Sequence, residues 1–289
     1  MANIKELKMK IKSTKGTLKI TQAMKLVSAA KLNRAQQVIT TTRPYANELN
    51  ETIKAVSALV EDYSHEYLTE TENKQAVLLV ISSNKGLCGG YNSQLSKLVK
   101  KYLAEETELD LKVYFIGKKA KEILKNSANL GKHFEFEGME PTFTEIQKVG
   151  QELATLFKTG EIGKVLVAYN VFQSAIEFTP TVKQLLPMSL DEDEKLELQE
   201  KYPFDFKYDP NPKEILDTLI PDAFSTSLWT SLLDGLASEH GSRMSSMDSA
   251  VTNCREAIRS QTLTMNKLRQ AAITTELIEV ISGAESLNA

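Results

Sequence analysis

The residues whose types and spacing could do chemistry lie in a glycine-rich turn, residues 83–92, which contains Gly86, Gly89 and Gly90. It follows a short apolar run and precedes a helical pattern. Backbone N–H groups and the helix dipole converge at such a place and can bind phosphate. The spacing matches neither GxGxxG nor GxxxxGK[ST], and no acidic residue stands where a ribose partner is expected. We favour a tight turn that packs a helix on a strand, with nucleotide binding as the alternative.

The thiol of Cys88 is the candidate nucleophile or redox group, since a helix start favours the thiolate. However, His65, His133 and His240 fall in three different predicted elements, with no spacing that indicates a base for this cysteine. Cys254 lies far along the chain, so neither a CxxC site nor a disulfide framework is indicated. HExxH and HxxxH spacings are also absent. We expect no catalytic residue, no cofactor and no metal site.

Two charged segments could attract other partners. The acidic run 191–194 lacks the residue order of an EF-hand, so we interpret it as a solvated acidic loop. Residues 1–36 are strongly basic, with Glu6 as their single acid against Lys5, Lys8, Lys10, Lys12, Lys15, Lys19, Lys25, Lys31 and Arg34. Only aliphatic residues are interleaved with these lysines, and no aromatic platform for stacking bases accompanies them. An acidic protein partner or a solvated face therefore fits better than nucleic acid or an anionic membrane surface.

Both ends of the chain predict long helices. From Asp222 to Ala289 there is no proline, and apolar or small residues recur at three-then-four spacing, at Leu233, Leu236, Met247, Val251, Cys254, Ile258, Met265, Leu268 and Ala272. A second seam runs through Ile4, Leu7, Ile11, Leu18, Val27, Leu32 and Val38, without proline until Pro44, which can end one helix or open the next. A helix of roughly 60 residues is about 90 Å long, so we expect the two to wind around each other as an antiparallel coiled coil.

The middle of the chain predicts a small Rossmann-like α/β body. The apolar run 76–81 is typical of a strand that is buried on both faces, and strands are also expected at 111–117 and 164–170. Pro180 makes 178–186 an edge strand. Helical patterns at 92–103, 118–126 and 142–157 complete a βαβ rhythm. The predicted fold class is α/β, with a long antiparallel coiled coil of the terminal helices beside this body.

The predicted domain organisation has four parts: an N-terminal shaft helix at 1–63, the body at 76–190, a linker at 191–221 and a C-terminal shaft helix at 222–289. An apolar fraction of 42% in 289 residues is enough for a core, and the net charge of −3 argues against a nucleic-acid coat. No apolar run approaches 18 residues, so we expect no transmembrane span.

Three ordered segments resemble the gamma subunit of F-type ATP synthase. They are residues 11–32 in the N-terminal helix, residues 86–92 in the glycine-rich turn, and a C-terminal set at 237–250 and 266–274. Together they span both ends and the middle of the chain. Departures from the family pattern stand at Asn33, Asn84, Lys85, Cys254 and Met265.

The resemblance implies a non-catalytic rotor. Such a central-stalk subunit couples ion-driven rotation of a membrane ring to ATP synthesis, or the reverse, at catalytic sites on beta subunits. The implied partners are three alpha and three beta subunits per copy of this chain, the epsilon and delta subunits, and the ring of c subunits. The implied location is peripheral, on the cytoplasmic side of a bacterial plasma membrane.

The same resemblance implies which residues contact the beta subunit. Met24 and Lys25 are expected near an acidic beta-subunit loop, and the end of the shaft is expected to meet a beta-subunit loop through Arg269, Gln270, Thr274 and Glu276. Polar residues occupy the seam here as well as its surroundings, which we interpret as a surface that touches several partners in turn; a frayed helix end is the alternative.

Two other classes of function stay open from the residues alone. A nucleotide-dependent enzyme would need Gly89 and Gly90 of the glycine-rich turn, and the isolated chain would bind nucleotide. A coiled-coil scaffold would associate with itself and have no defined place in an alpha–beta ring.

Overall fold

The computed structural model describes residues 2–60, 63–136, 138, 140–188, 192–202, 206–209 and 211–288. The elements in chain order are α1 (Ala2–Leu59), β1 (Gln75–Ile81), α2 (Tyr91–Glu105), β2 (Asp110–Ile116), α3 (Lys118–Leu124), β3 (Asn129–Phe134), α4 (Phe143–Lys158), β4 (Lys164–Phe172), β5 (Phe178–Leu186), α5 (Glu192–Lys201) and α6 (Pro212–Asn288).

The chain divides into two compact units. One, the terminal helix pair, comprises residues Met1–Ala29 and Arg243–Ala289. The other, the body, comprises Ala30–Ser242 and so includes the inner parts of both long helices. The four predicted domain ranges stay a prediction.

The sheet of the body has the strand order β3-β2-β1-β4-β5. The first four of these strands are parallel to their neighbours, and β5 runs antiparallel to β4 at one edge. Six of the seven residues of β1 are buried, because helices cover both faces of the sheet. The predicted α/β class, the predicted strands and the edge position of 178–186 are confirmed.

Each face of the sheet has its own hydrophobic core. On one face, Leu78 and Val80 of β1 pack with Leu95 and Val99 of α2. Alternate residues of the same strand, such as Leu79, belong to the core on the other face. That second core contains α4 and the inner parts of α1 and α6, including Leu49, Ile53, Leu216, Phe224 and Leu228. Long-helix residues therefore form part of the body's core.

Both long helices pass through prolines that the sequence suggested would interrupt them. Helix α1 continues through Pro44, and α6 begins at Pro212 rather than Asp222 and contains Pro221. A proline inside a helix removes one backbone hydrogen bond. Burial of neighbouring side chains, such as Phe224 at 2% exposure, compensates for that loss.

Two elements were not predicted, and each has a physical reason. Strand β3 buries only Phe134 fully and contains Gly131, so it lacks an apolar pattern. The acidic run was interpreted as a loop, but Glu192–Lys201 is helix α5, so that interpretation was wrong. Helix α5 is held to α1 by Gln199, whose side-chain amide donates to the Ala58 carbonyl at 2.9 Å. Asp191 lies outside the described residues, as do Pro203 and Pro210 of the predicted linker.

A buried ion pair joins both long helices to the sheet within the body. Arg43 of α1 donates to the carboxylate of Asp234 on α6 and, at 2.9 Å, to the carbonyl of Phe172 at the end of β4. Asp234 is 4% exposed and also accepts the Phe172 backbone N–H at 3.4 Å. One guanidinium thus connects three elements of the body.

A second contact joins the loop after β3 to the same two helices. The carboxylate of Glu140 accepts from the Lys31 ammonium at 2.6 Å and lies 3.1 Å from the His240 imidazole. Burial alone would raise the pKa of Glu140, but the Lys31 ammonium and His240 outweigh it and hold that pKa below its ordinary value.

Candidate functional site

The glycine-rich turn connects β1 to α2, and polar side chains fill its interior. The Ser83 hydroxyl donates to the Lys85 carbonyl at 2.7 Å, and the Asn92 amide donates to that hydroxyl at 2.7 Å and to the Cys88 sulfur at 3.2 Å. The Ser242 hydroxyl of α6 donates to the Cys88 carbonyl at 2.6 Å. The turn therefore fastens α6 to the sheet.

The candidate nucleophile Cys88 and the three histidines make separate contacts. Cys88 is 3% exposed inside the turn. His65 accepts from the Tyr67 backbone, His133 lies 3.4 Å from Glu135, and His240 contacts Glu140. Each histidine thus has a structural neighbour of its own.

Leu87 has a feature that sequence reasoning missed. Its backbone φ is 63°, in the left-handed region that a leucine rarely adopts, and its side chain is 64% exposed. The outer surface of the turn therefore presents an apolar side chain, whereas its interior is packed. No sequence signal distinguishes this leucine from a buried one.

The terminal helix pair is antiparallel. Lys25 of α1 contacts Asp248 of α6 at 2.7 Å. Nearer the start of α1, Lys15 and Leu18 line one groove with Arg255 and Ile258, which lie further along α6. Lower residue numbers on one helix therefore lie beside higher numbers on the other, as the sequence predicted.

The seam of α6 keeps its heptad spacing and most of the predicted residues. Met247 and Val251 are buried at 4% each, and Cys254, Ile258, Met265, Leu268 and Ala272 are half-buried. On α1 the prediction was partly wrong, because Val27 is 57% exposed. The side chains that are buried instead are Thr21 and Ser28, which a search for apolar residues passes over.

The predicted beta-contacting residues fall into two groups on this helix pair. Met24 and Lys25 are half-buried on α1. The ion pair of Lys25 with Asp248 is solvent-accessible, since the side chains keep 40% and 58% of their exposure. We did not predict Asp248 as the partner of Lys25. An antiparallel register that places Ile4 near Met265 or Leu268 would have brought Asp248 close to Lys25. The structure does not bring this pair together with the second group.

The second group lies toward the end of α6. Arg269, Gln270, Thr274 and Glu276 are all exposed, and the Thr274 hydroxyl donates back to the Gln270 carbonyl at 3.0 Å. Residues 273–284, which we call the exposed tip, have only exposed side chains. The register between the helices accounts for this, because the first residue of α1, Ala2, lies beside α6 at about the start of the exposed tip.

The exposed tip is not polar throughout. It carries large aliphatic side chains with exposures of 54–70%, at Ile273, Leu277, Ile278, Val280 and Ile281. Soluble proteins rarely leave such a run of apolar side chains uncovered without a binding partner. The polar character that we expected at the end of the shaft therefore does not extend to these residues.

In the part of the chain that the structure describes, no group of three or more His, Cys, Asp or Glu residues is arranged to hold a metal ion. Over the same residues, no helix is both long enough and apolar enough to cross a membrane.

Comparisons with known proteins match the chain over nearly its full length. The family model described as ATP synthase matches residues 3–287. The ATP synthase gamma chain of Geotalea daltonii is 39% identical over 289 residues, covering 99% of each chain. That of Flavobacterium johnsoniae is 38% identical and covers 100% of each chain.

Solved structures with a similar fold come from two mitochondrial ATP synthases. A chain of the Euglena gracilis enzyme has a TM-score of 0.66 at 18% identity and covers 99% of this chain and 95% of that one. A chain of the Tetrahymena thermophila central stalk and c-ring has a TM-score of 0.57 at 23% identity and covers 80% of this chain and 99% of that one. These likenesses concern the fold, and the family rests on the sequence matches: the chain belongs to the family of ATP synthase gamma chains.

Proposed function

We propose that this chain is the rotating central-stalk subunit of an F-type ATP synthase and couples rotation of a membrane ring to ATP synthesis or hydrolysis. Gamma chains are non-catalytic subunits of that complex, and the catalytic sites are on the beta subunits. The observation that carries the proposal is the exposed tip, where aliphatic side chains extend beyond the end of the partner helix. Such a tip fits inside a sleeve formed by other subunits.

The proposed partners are the alpha and beta subunits, in a ring of three alpha and three beta subunits around one copy of this chain. Epsilon, delta and the c-subunit ring are the other proposed neighbours. The complex is membrane-associated, and we place this subunit peripherally on the cytoplasmic side of a bacterial plasma membrane.

Two contact regions with the beta subunit are proposed on the terminal helix pair. In the first, Met24 and Lys25 face an acidic beta-subunit loop. The accessible ion pair with Asp248 supports this, because a second carboxylate can approach the same ammonium as the rotor turns. In the second, Arg269, Gln270, Thr274 and Glu276 supply polar contacts beside the exposed aliphatic side chains. Polar contacts of this kind give specificity with little net affinity.

The test is reconstitution of the complex from its subunits, followed by ATP hydrolysis and ATP-driven ion pumping in sealed vesicles. The chain alone should hydrolyse no ATP. With alpha and beta subunits it should form a 3:3:1 complex whose turnover is well above that of alpha plus beta. Nucleotide binding by the chain alone, lost on changing Gly89 or Gly90, would instead favour an enzyme.

Coupling is tested by charge reversal. Lys25→Glu, or a double change of Arg269 and Gln270 to alanine, should reduce pumping per ATP hydrolysed while leaving the fold intact. Lys25→Arg should keep coupling, and Lys97→Glu on exposed α2 serves as the charge-matched control. Pumping that is unchanged in both Lys25→Glu and the Arg269 and Gln270 double variant would contradict the assigned contacts.

A further inference from the structure

A cleft in the body has no role in the proposed function. It lies between the inner part of α1, the end of β5 and the start of α5, and its volume is about 680 Å³. That volume is in the range of small-molecule sites. Its lining includes amides, hydroxyls, two lysines and apolar side chains, among them Asn50, Glu51, Ser57, Lys183, Gln184 and Glu194.

Lys183 of β5 is the cation without a partner in this cleft. Among the described residues, its ammonium makes no hydrogen bond or ion pair. The surrounding protein lowers the pKa of Lys183, and repulsion from Lys54 lowers it further, while Asp234 partly opposes both effects. An anion bound beside this ammonium would relieve both unfavourable contributions.

The other charges near Lys183 are already neutralised or face solvent. Lys54 pairs with Glu194 at 3.2 Å, and Asp234 pairs with Arg43. Glu51 is exposed on α1 at the edge of the cleft. Lys183 is an exposed residue of β5, so its positive charge is available at the surface of the cleft, which Glu51 and Glu194 also line.

Hydrogen-bonding groups also line the cleft. The Ser57 Oγ is buried and has no partner among the described residues. A buried polar atom without a partner costs free energy that a ligand can recover. The Asn50 amide already donates to the Ala46 carbonyl at 2.8 Å, and Gln184 donates to the Pro187 carbonyl at 2.8 Å. Among the described residues, the side-chain oxygens of Asn50 and Gln184 accept no hydrogen bond, so they can accept from hydroxyl groups.

We propose that this cleft binds a small hydroxylated carboxylate, with its carboxylate on Lys183 and its hydroxyls on Ser57 and the neighbouring amides. The charge balance selects a carboxylate over a phosphate ester. The lining holds two lysines and two glutamates, so a carboxylate, with one negative charge, adds less excess negative charge than a phosphate ester does. A phosphate ester carries about −1.5 to −2 at pH 7 and would leave excess negative charge beside Glu51 and Glu194.

Calorimetric titration of the full chain with D-gluconate tests the assignment. Gluconate should bind one site in the millimolar range, and uncharged sorbitol and glucose 6-phosphate should bind more weakly. Lys183→Gln should weaken gluconate binding about tenfold or more, because it removes a charged hydrogen bond. Lys183→Arg should retain binding, and Lys100→Gln, an exposed lysine of α2, is the matched control.

A second readout locates the site independently of affinity. An amine-acylating reagent, followed by mass spectrometry, should modify Lys183 faster than Lys100 at neutral pH, since a lowered pKa leaves more neutral amine. Gluconate should protect Lys183 and leave Lys100 unaffected. Absence of binding and protection, binding that survives Lys183→Gln, or tighter Lys183-dependent binding of glucose 6-phosphate would each overturn the proposal.

Discussion

Replacing Arg43 with alanine should destabilise the body mainly by leaving Asp234 without its charged partner. The Asp234 side chain is 6% exposed. After the replacement, the Phe172 N–H at 3.4 Å would be its one remaining hydrogen-bond donor among the described residues, although the Lys183 charge would still attract it. Breaking a buried ion pair by removing one partner costs about 3–5 kcal/mol. Arg43 keeps 37% of its side-chain exposure, so solvent weakens the pair. We therefore expect a loss of about 3 kcal/mol at neutral pH, at the lower end of that range.

The pH dependence of this loss distinguishes a buried carboxylate from lost packing. Burial already raises the pKa of Asp234 above its ordinary value of 3.8, against the opposing influence of Arg43. Removing Arg43 should raise it further. A carboxyl whose pKa is raised by folding favours the folded state below its unfolded pKa, and that contribution is lost as the pH rises through the folded value. The deficit of Arg43→Ala should therefore be largest at neutral pH and shrink under acidic conditions.

Urea unfolding followed by circular dichroism, repeated across that pH range, measures both quantities. Arg43→Ala, Asp234→Asn and the double variant form a double-mutant cycle, which isolates the coupling between the two side chains. The double variant should be less destabilised than the sum of the two single variants. A loss below about 1 kcal/mol at neutral pH, typical of surface pairs, would refute the reasoning.

The remaining predictions concern separate parts of the chain. Gly117→Ala should lower the free energy of unfolding by about 3 kcal/mol or more, because φ is +92° and the new Cβ would lie 2.0 Å from the Ser82 carbonyl oxygen. Gly16→Ala should instead stabilise α1 by roughly 0.5–1 kcal/mol, and thermal unfolding of both variants tests this contrast. A thiol reagent should modify half-buried Cys254 first and Cys88 only on unfolding, as peptide mapping would reveal, and equal rates would contradict the packing of the turn. Glu140→Gln should lower the stability of the folded state at neutral pH and make that stability depend less on pH under acidic conditions. The reason is that a carboxyl whose pKa is lowered by folding stabilises the folded state above its ordinary pKa of 4.5, and this contribution is lost as the pH falls; urea unfolding at several acidic pH values measures it.

The parts of the fold with regular apolar spacing were predictable from sequence. Strand β1 has a continuous apolar run, and the C-terminal seam repeats at three-then-four spacing through Ala272. Strand β3 was not predictable, because an edge strand with one fully buried residue needs little apolar pattern. Helix α5 was missed because charged residues give it no apolar stripe, and its position depends on contacts with α1.

The candidate site was predictable to a smaller extent. Resemblance to the family supplied Lys25 and Arg269, and spacing supplied the helices that carry them. The Asp248 partner of Lys25 and the buried Thr21 and Ser28 depend on the register between the helices, which local sequence does not encode. Whether the six predicted residues contact a beta subunit is a property of a complex and stays a prediction.

The exposed tip has a consequence for how firmly other subunits hold it. Most helical stability in proteins comes from packing, which the tip lacks in the free chain, so this end should fray and exchange its amide protons quickly. Enclosure would then have to order the backbone of the tip, and that entropic cost offsets much of the free energy gained by burying its five large aliphatic side chains. Folding on enclosure would thus convert an apolar surface into a weakly held one, which suits a helix that must turn against its surroundings.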